Sequence, residues 1–249
     1  MATGLSLVAG GGFRLAKTGP IPGGLGERFA LPASLQPTLS ELFATHPRDG
    51  GATGFLLAQL ERGKPLLWVQ ERMAILEAGR VYPPGLPFPD IIHVEARDAR
   101  AALWAMEEGL RCAALGAVIG ELWGDPKALD FTATRRLAVA AEKSGVAAWL
   151  VRLGGSANLS GARMRWRVAS APSLANPFDP RAPGAAAWDA ELFRARGFAP
   201  GRWAVAHDRQ ADTVHLVAAA GDRAVAADAR ERLTAMLGEP FPEGFVRTA

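Results

Sequence analysis

The side chains best placed to do chemistry in this sequence begin with the stretch Ala44–Thr53, ATHPRDGGAT, which follows an apolar run, Leu39–Ala44. In α/β proteins that position brings phosphate against a helix N-terminus, where free backbone N–H groups point at the ligand. A phosphate-binding loop ends in G-K-[ST], with its lysine on the terminal phosphates and its hydroxyl on magnesium. Gly50, Gly51, Ala52 and Thr53 follow that form except at Ala52, which stands where the lysine would be. Without the cation a triphosphate lacks its main side-chain counter-charge, and Arg48 is a substitute nearby in sequence. Glu71 and Glu121 each lie at the end of an apolar run. A nucleotide hydrolase carries its water-orienting and magnesium-side carboxylates at such strand ends. Together these residues read as a vestigial nucleotide site, and no cofactor, metal or catalytic residue is expected.

A second group is an arginine ladder. RMRWRVA (Arg163–Ala169) alternates strictly, with Arg163, Arg165 and Arg167 on one face and Met164, Trp166 and Val168 on the other. Guanidinium groups in such a row suit phosphates or an acidic protein surface. A solvated row of charges also discourages edge-to-edge association. The three arginines are therefore candidates for contact with a partner protein or, more weakly, DNA. The third group is a stripe after the N-capping Asp222: Val225, Ala229, Leu233, Met236 and Leu237 recur at helical spacing. Such a stripe docks in a partner's groove or packs on its own sheet.

Other chemistries find little support. His46, His93, His207 and His215 show no metal-ligand spacing, and no G-x-S-x-G elbow is present. The single cysteine, Cys112, lies in an amphipathic helical pattern and cannot form an internal disulfide, which fits a reduced, cytoplasmic setting. No apolar run approaches the roughly 20 residues of a membrane span.

The elements that must position these groups alternate. Strands are expected at Leu39–Ala44, Pro65–Gln70, Ile91–Glu95, Gly116–Leu122 and Val146–Leu153, of which Pro65–Gln70 is an almost wholly apolar run of the kind buried on both faces of a sheet. Helices are expected over Thr53–Arg62, after the N-cap Asp98, and from Asp130 or Thr132 to Lys143 with Gly145 as C-terminal cap. This order predicts a mostly parallel sheet covered by helices. Arg163–Ala169, Trp188–Arg194, Trp203–His207 and Val214–Ala218 predict further strands, added to one edge as antiparallel hairpins. The expected organisation is an irregular N-terminal arm over residues 1–36, a core over 37–220, and a C-terminal helix and tail over 221–249.

The formal charge is +3 over 249 residues, but it is unevenly spread. Residues 135–209 hold 12 basic and 5 acidic side chains, net +7, while residues 1–134 and 210–249 are each net −2. The excess coincides with the added strands and points to an anionic partner.

LWVQERM (Leu67–Met73), ALWAMEEGLR (Ala102–Arg111), GAVIGELWG (Gly116–Gly124) and LDFTATRRLAVAAEKSGVAAWLVR (Leu129–Arg152) resemble, in order, the ImuA family of RecA-like, SulA-like proteins of damage-inducible mutagenesis. RMRWRVASAPS (Arg163–Ser173) and WDAELFRARGFAPGRW (Trp188–Trp203) continue the resemblance. It implies a RecA-like three-layer core with a mostly parallel sheet. It places Gly51–Thr53 at the phosphate loop, Glu71 at the catalytic glutamate, Glu121 at the magnesium-side aspartate and Arg152 near a nucleotide-sensing glutamine. DNA-binding loops would follow Gly124 and Gly154, and both are short here. The function it implies is a non-catalytic adaptor in SOS mutagenesis and translesion synthesis. The implied partners are an ImuB-like Y-family protein and an error-prone C-family DNA polymerase, with RecA as a further candidate. A RecA-like ATPase in DNA repair and a SulA-like cell-division inhibitor are the alternatives.

Overall fold

Among the described residues nine strands form one sheet in the order β3-β2-β4-β5-β1-β6-β7-β8-β9. The computed structural model describes residues 28–29, 38–176, 178–179, 181–197, 199–208 and 212–219. The expected N-terminal arm (apart from Arg28 and Phe29) and C-terminal helix, with Leu233, Met236 and Leu237, lie outside the described residues.

Strands β1 (Leu39–Ala44), β2 (Leu66–Glu71), β3 (Ile91–Ala96), β4 (Ala117–Trp123) and β5 (Ala147–Leu153) are mutually parallel, as the apolar runs require. β6 (Met164–Ala171) also pairs in parallel, on the free side of β1. The antiparallel extension therefore starts one strand later than the sequence suggests, with β7 (Ala187–Ala195), β8 (Gly201–Asp208) and β9 (Thr213–Ala219). The reason is the connection: β5 does not turn back on itself but crosses β1 through residues 154–163, and a crossover delivers a parallel strand.

Helices cover both faces. On one face α1 (Gly51–Leu57) and α2 (Arg72–Ala78) pack with Phe55, Leu56, Trp68, Trp149, Trp166 and Trp188 in one apolar cluster. On the other, α3 (Ala99–Gly109) and α4 (Phe131–Ser144) bring Leu103, Met106, Leu137 and Ala141 onto Val69, Val118 and Leu150. The result is a three-layer α/β core extended by antiparallel strands. Period-2 alternation carries through: Trp166 and Val168 enter the first cluster while Arg165 and Arg167 take the opposite face.

The caps behave as their residue types dictate. Asp98 Oδ1 accepts the Ala101 N–H and Asp130 Oδ1 accepts the Ala133 N–H, while Gly145 ends α4 at φ 76°. Two helices differ from expectation. α1 spans Gly51–Leu57 rather than Thr53–Arg62, tightening at its end into i→i+3 bonds from Gln59 to Leu56 and from Leu60 to Leu57. α2 has no amphipathic stripe to announce it, since only Ala74 of its residues is buried.

Candidate functional site

The C-terminal ends of the parallel strands gather the first group of residues. β1 leads into a tight turn, Thr45–Gly50, in which the Asp49 N–H donates to the His46 carbonyl. Asp49 then folds back over the start of α1. Its Oδ1 accepts the Gly51 N–H at 2.8 Å and the Ser170 hydroxyl, and its Oδ2 accepts the Ser170 N–H at 2.8 Å. Burial alone would push this carboxyl up; the Ser170 side chain and backbone, together with the Gly51 N–H, outweigh it and hold Asp49 below its ordinary range. Residue 51 has to be glycine here, because a Cβ would sit 2.3 Å from Ser170 Oγ and 2.8 Å from its backbone nitrogen.

These contacts test whether a phosphate fits. The amide that would face it already serves a carboxylate of the chain itself, and a second anion there would meet Asp49 at close range. Ala52 is fully buried in the aromatic cluster around Phe55, so the lysine position faces the core rather than a ligand. Arg48 turns away, donating to the Glu77 carbonyl at 3.1 Å and pairing with the Glu77 carboxylate at the end of α2. A nucleotide's phosphates do not fit this arrangement.

The two strand-end carboxylates are engaged as well. Glu71 closes β2 and accepts the Trp123 N–H at 3.0 Å, pinning the end of β4. Glu121 is buried and accepts from Gln70 Nε2 at 2.6 Å; burial pushes its carboxyl up against the Gln70 hydrogen bond. Gln70 Oε1 in turn accepts the Val81 N–H and faces His93 Nε2 at 3.0 Å. Among the described residues no group of His, Cys, Asp and Glu side chains is arranged to hold a metal ion.

The arginine ladder divides by depth. Arg165 and Glu41 are both buried and joined by a 2.6 Å bond from Arg165 Nε to Glu41 Oε2. The Arg165 guanidinium lies over the Phe43 and Phe193 rings at 5.3 and 5.4 Å. Arg152, also buried, sits 3.8 Å from Glu41 and donates to Asp125 at 2.6 Å. Burial lowers the Arg152 pKa, with Glu41 and Asp125 opposing. Arg163 instead makes two bonds to Glu142 of α4, and Arg167 one of 2.6 Å to Glu191 of β7. As a docking surface the row thus loses Arg165, because the centre of the sheet needs a counter-ion for Glu41. Arg163 and Arg167 remain accessible, each with an acidic partner already in place.

The short loops after Gly124 and Gly154 are tied together. Asp125 accepts the Ser156 N–H at 2.9 Å, and the Gly161 N–H donates to Thr134 Oγ1 of α4 at 2.9 Å. A polar cavity of about 210 Å³ remains between them, lined by Glu41, Asp125, Lys127, Arg152 and Asn158.

Sequence reasoning missed Asp49, Gln70, Glu41 and Asp125. Glu41 had a signal, a carboxylate inside an apolar strand that demands a buried cation. Asp49 had a local signal for its bond to Gly51, two residues on, but none for Ser170, which lies 121 residues away.

With this geometry in hand, similarity to known proteins can be placed on it. No family model matches the chain. Two curated relatives, each named Protein ImuA and drawn from Caulobacter vibrioides strains NA1000 / CB15N and ATCC 19089 / CIP 103742 / CB 15, are 34% identical over 172 residues. The match covers 62% of this chain and 67% of each relative. Among solved structures, SulA from Pseudomonas aeruginosa is similar at 24% identity and a TM-score of 0.36, over 47% of this chain and 98% of that one.

Proposed function

Because the chain belongs to the ImuA family, we propose that it is a non-catalytic accessory protein of damage-inducible mutagenesis. In this reading it serves translesion DNA synthesis as an adaptor between an ImuB-like Y-family protein and an error-prone C-family polymerase, in the cytoplasm, with RecA as a further partner. Among the described residues no helix is long and apolar enough to cross a membrane.

The observation that carries the non-catalytic reading is Asp49 on the Gly51 N–H, the chain's own carboxylate where a nucleotide hydrolase binds phosphate. Its support comes from three further residues. Ala52 offers no cation, Glu71 serves the Trp123 N–H, and Glu121 is buried against Gln70. Each group that would act on a nucleotide has a different employment. Arg163 and Arg167, and the Leu233, Met236 and Leu237 stripe, are the proposed partner contacts, with only weak DNA binding expected.

The test is complementation in the bacterium that carries the gene. Deleting it should lower the mutation frequency after DNA damage by at least tenfold, and Glu71→Gln should restore it as well as the parent chain. Affinity-tagged protein from damaged cells should recover the Y-family partner. Magnesium-dependent ATP turnover abolished by Glu71→Gln would overturn the non-catalytic reading. Recovery of the tubulin-like division protein without either polymerase partner would replace the adaptor with a division inhibitor.

A further inference from the structure

The outward side of α3 and α4 combines exposed apolar side chains with a row of cations. On α4, Phe131, Arg135, Val139 and Lys143 follow one another at four-residue spacing and form a continuous exposed stripe. On α3, Trp104 stands one turn before Glu107, and Arg111 lies in the turn just past the helix's C-terminal end. Trp104 is 63% exposed, Val139 50% and Phe131 40%, large apolar areas to leave in water without a purpose. Between the helices runs a groove of about 630 Å³ with Leu110, Val139 and Ala140 among its lining and Arg111, Arg135, Arg136 and Lys143 around it.

The charges in this groove are unbalanced. Glu107 is the one carboxylate lining it, and it already engages two of the four cations: Arg136 closely, and Arg111 at 4.0 Å. Arg111 leans also on Glu108 at 3.1 Å. Arg135 and Lys143 have no acidic partner among the described residues. The lining is therefore net +3, with two of its cations uncommitted on the same stripe as an exposed valine.

We propose that the α3–α4 groove is a docking surface for an acidic amphipathic helix of a partner protein. Two helices lying side by side present ridges and a groove that a third helix fills. The exposed Val139 and half-buried Ala140 would take that helix's apolar side, and its carboxylates would meet Arg135 and Lys143. Trp104, 63% exposed on α3 outside the groove lining, is a residue type favoured as an interface anchor. Single-stranded nucleic acid fits less well. It needs a row of rings on which successive bases stack, whereas Trp104 and Phe131 stand outside the groove lining, which presents Val139 and Ala140 and carries the Glu107 carboxylate, which repels phosphates.

Cys112 makes the test direct. It is the only cysteine in the chain, it is exposed, and it directly follows Arg111. A fluorophore on Cys112 would report occupancy of the groove in the full chain. The probe is a synthetic helical peptide with leucines at i, i+3, i+4 and i+7 and glutamates elsewhere. Its controls are the same peptide with lysine for glutamate and a single-stranded oligothymidine. The glutamate peptide should shift the signal saturably and weaken as salt rises, and the lysine peptide should not shift it. Arg135→Glu with Lys143→Glu should weaken binding at least tenfold while lowering the melting temperature by no more than about 4 °C, because both side chains are exposed and only Lys143, in the last turn of α4, interacts with the helix dipole. Failure of the glutamate peptide to bind, or binding indifferent to the double charge reversal, would overturn the proposal. So would saturable oligothymidine binding in place of the peptide.

Discussion

Replacing Arg165 and Arg167 separately by methionine gives the sharpest test of how the arginine ladder is used. The two residues share one strand face and each makes a 2.6 Å bond to a glutamate, so a reading from sequence treats them alike. Depth separates them. The Arg165 and Glu41 side chains are 4% and 0% exposed, whereas those of Arg167 and Glu191 are 45% and 36%. Breaking a buried pair by removing one partner costs about 3–5 kcal/mol, because the other charge stays behind without its counter-ion. An exposed pair is worth about 0–1 kcal/mol. Arg165→Met should fall near 3 kcal/mol, since Arg152 remains 3.8 Å from Glu41 and methionine still packs on Phe43 and Phe193. Glu41→Gln should cost about 3–5 kcal/mol, because it leaves the buried Arg165 without an acidic partner while Arg152 keeps Asp125 at 2.6 Å. Where a chain of this length loses about 2–4 °C per kcal/mol, Arg165→Met should lower the melting temperature by about 6–12 °C and Arg167→Met by at most about 4 °C. Chemical denaturation of the two variants measures the difference. Equal losses within about 0.5 kcal/mol would refute the argument that depth decides the role of these arginines.

Two carboxylates should show opposite pH signatures. Glu121 has its pKa raised by burial, so the folded state holds the proton more tightly and loses stability as pH rises from 4.5 through the raised value. Glu121→Gln should therefore gain on the parent chain as pH rises, read by denaturation at pH 4.5 and pH 8; a gain that shrinks with pH would contradict this. Asp49 has its pKa lowered by bonds from Ser170 and Gly51, which outweigh burial, so its contribution is present above 3.8 and lost as pH falls through the lowered value. Asp49→Ala should destabilise by about 1–3 kcal/mol at pH 7, with the deficit fading in acid; a deficit constant with pH would exclude the ionised carboxylate as its cause. Gly161→Ala should also destabilise, by about 1–3 kcal/mol or more. Its Cβ would come within 2.6 Å of the Arg135 Cα, a backbone atom that cannot swing aside, so a neutral result in thermal unfolding would refute the close approach.

Much of the core was legible because burial on both faces of a parallel sheet leaves one signature, a short continuous apolar run. Such runs became β2, β4 and β5, and the interrupted LSELFA and IIHVE became β1 and the half-exposed edge strand β3, all within a residue or two, while Asp98, Asp130 and Gly145 marked helix ends by their capping chemistry. α2 was illegible because its sequence, RMAILEA, buries a single residue and so has no period to read. The direction of β6 was hidden for another reason: alternation gives the faces of a strand, not its orientation. The candidate nucleotide site could be located from glycines and strand-end carboxylates, but not its internal wiring. Gln70 with Glu121, Asp49 with Ser170 and Arg165 with Glu41 are pairs between segments 51 to 124 residues apart, and no local pattern links them.

That wiring also decides where a partner can be met. For Glu121 to ligate a divalent cation it would have to ionise in a site that raises its pKa and give up its 2.6 Å bond from Gln70. For the turn after β1 to accept phosphate, Asp49 would have to release the Gly51 N–H and both donors of Ser170 at once. Losing a partner from the buried Glu121 costs about 1–3 kcal/mol; the part-exposed Asp49 would lose less for each bond, but three would go at once. On the outside of α3 and α4 the balance runs the other way. Arg135 and Lys143 hold no acidic partner among the described residues, and Trp104, Phe131 and Val139 are already in water. A ligand there breaks nothing and removes apolar surface from solvent at about 25 cal/mol per Å². The end of the sheet that resembles a nucleotide site is thus the costlier place to bind, and the helical face opposite α1 the cheaper one.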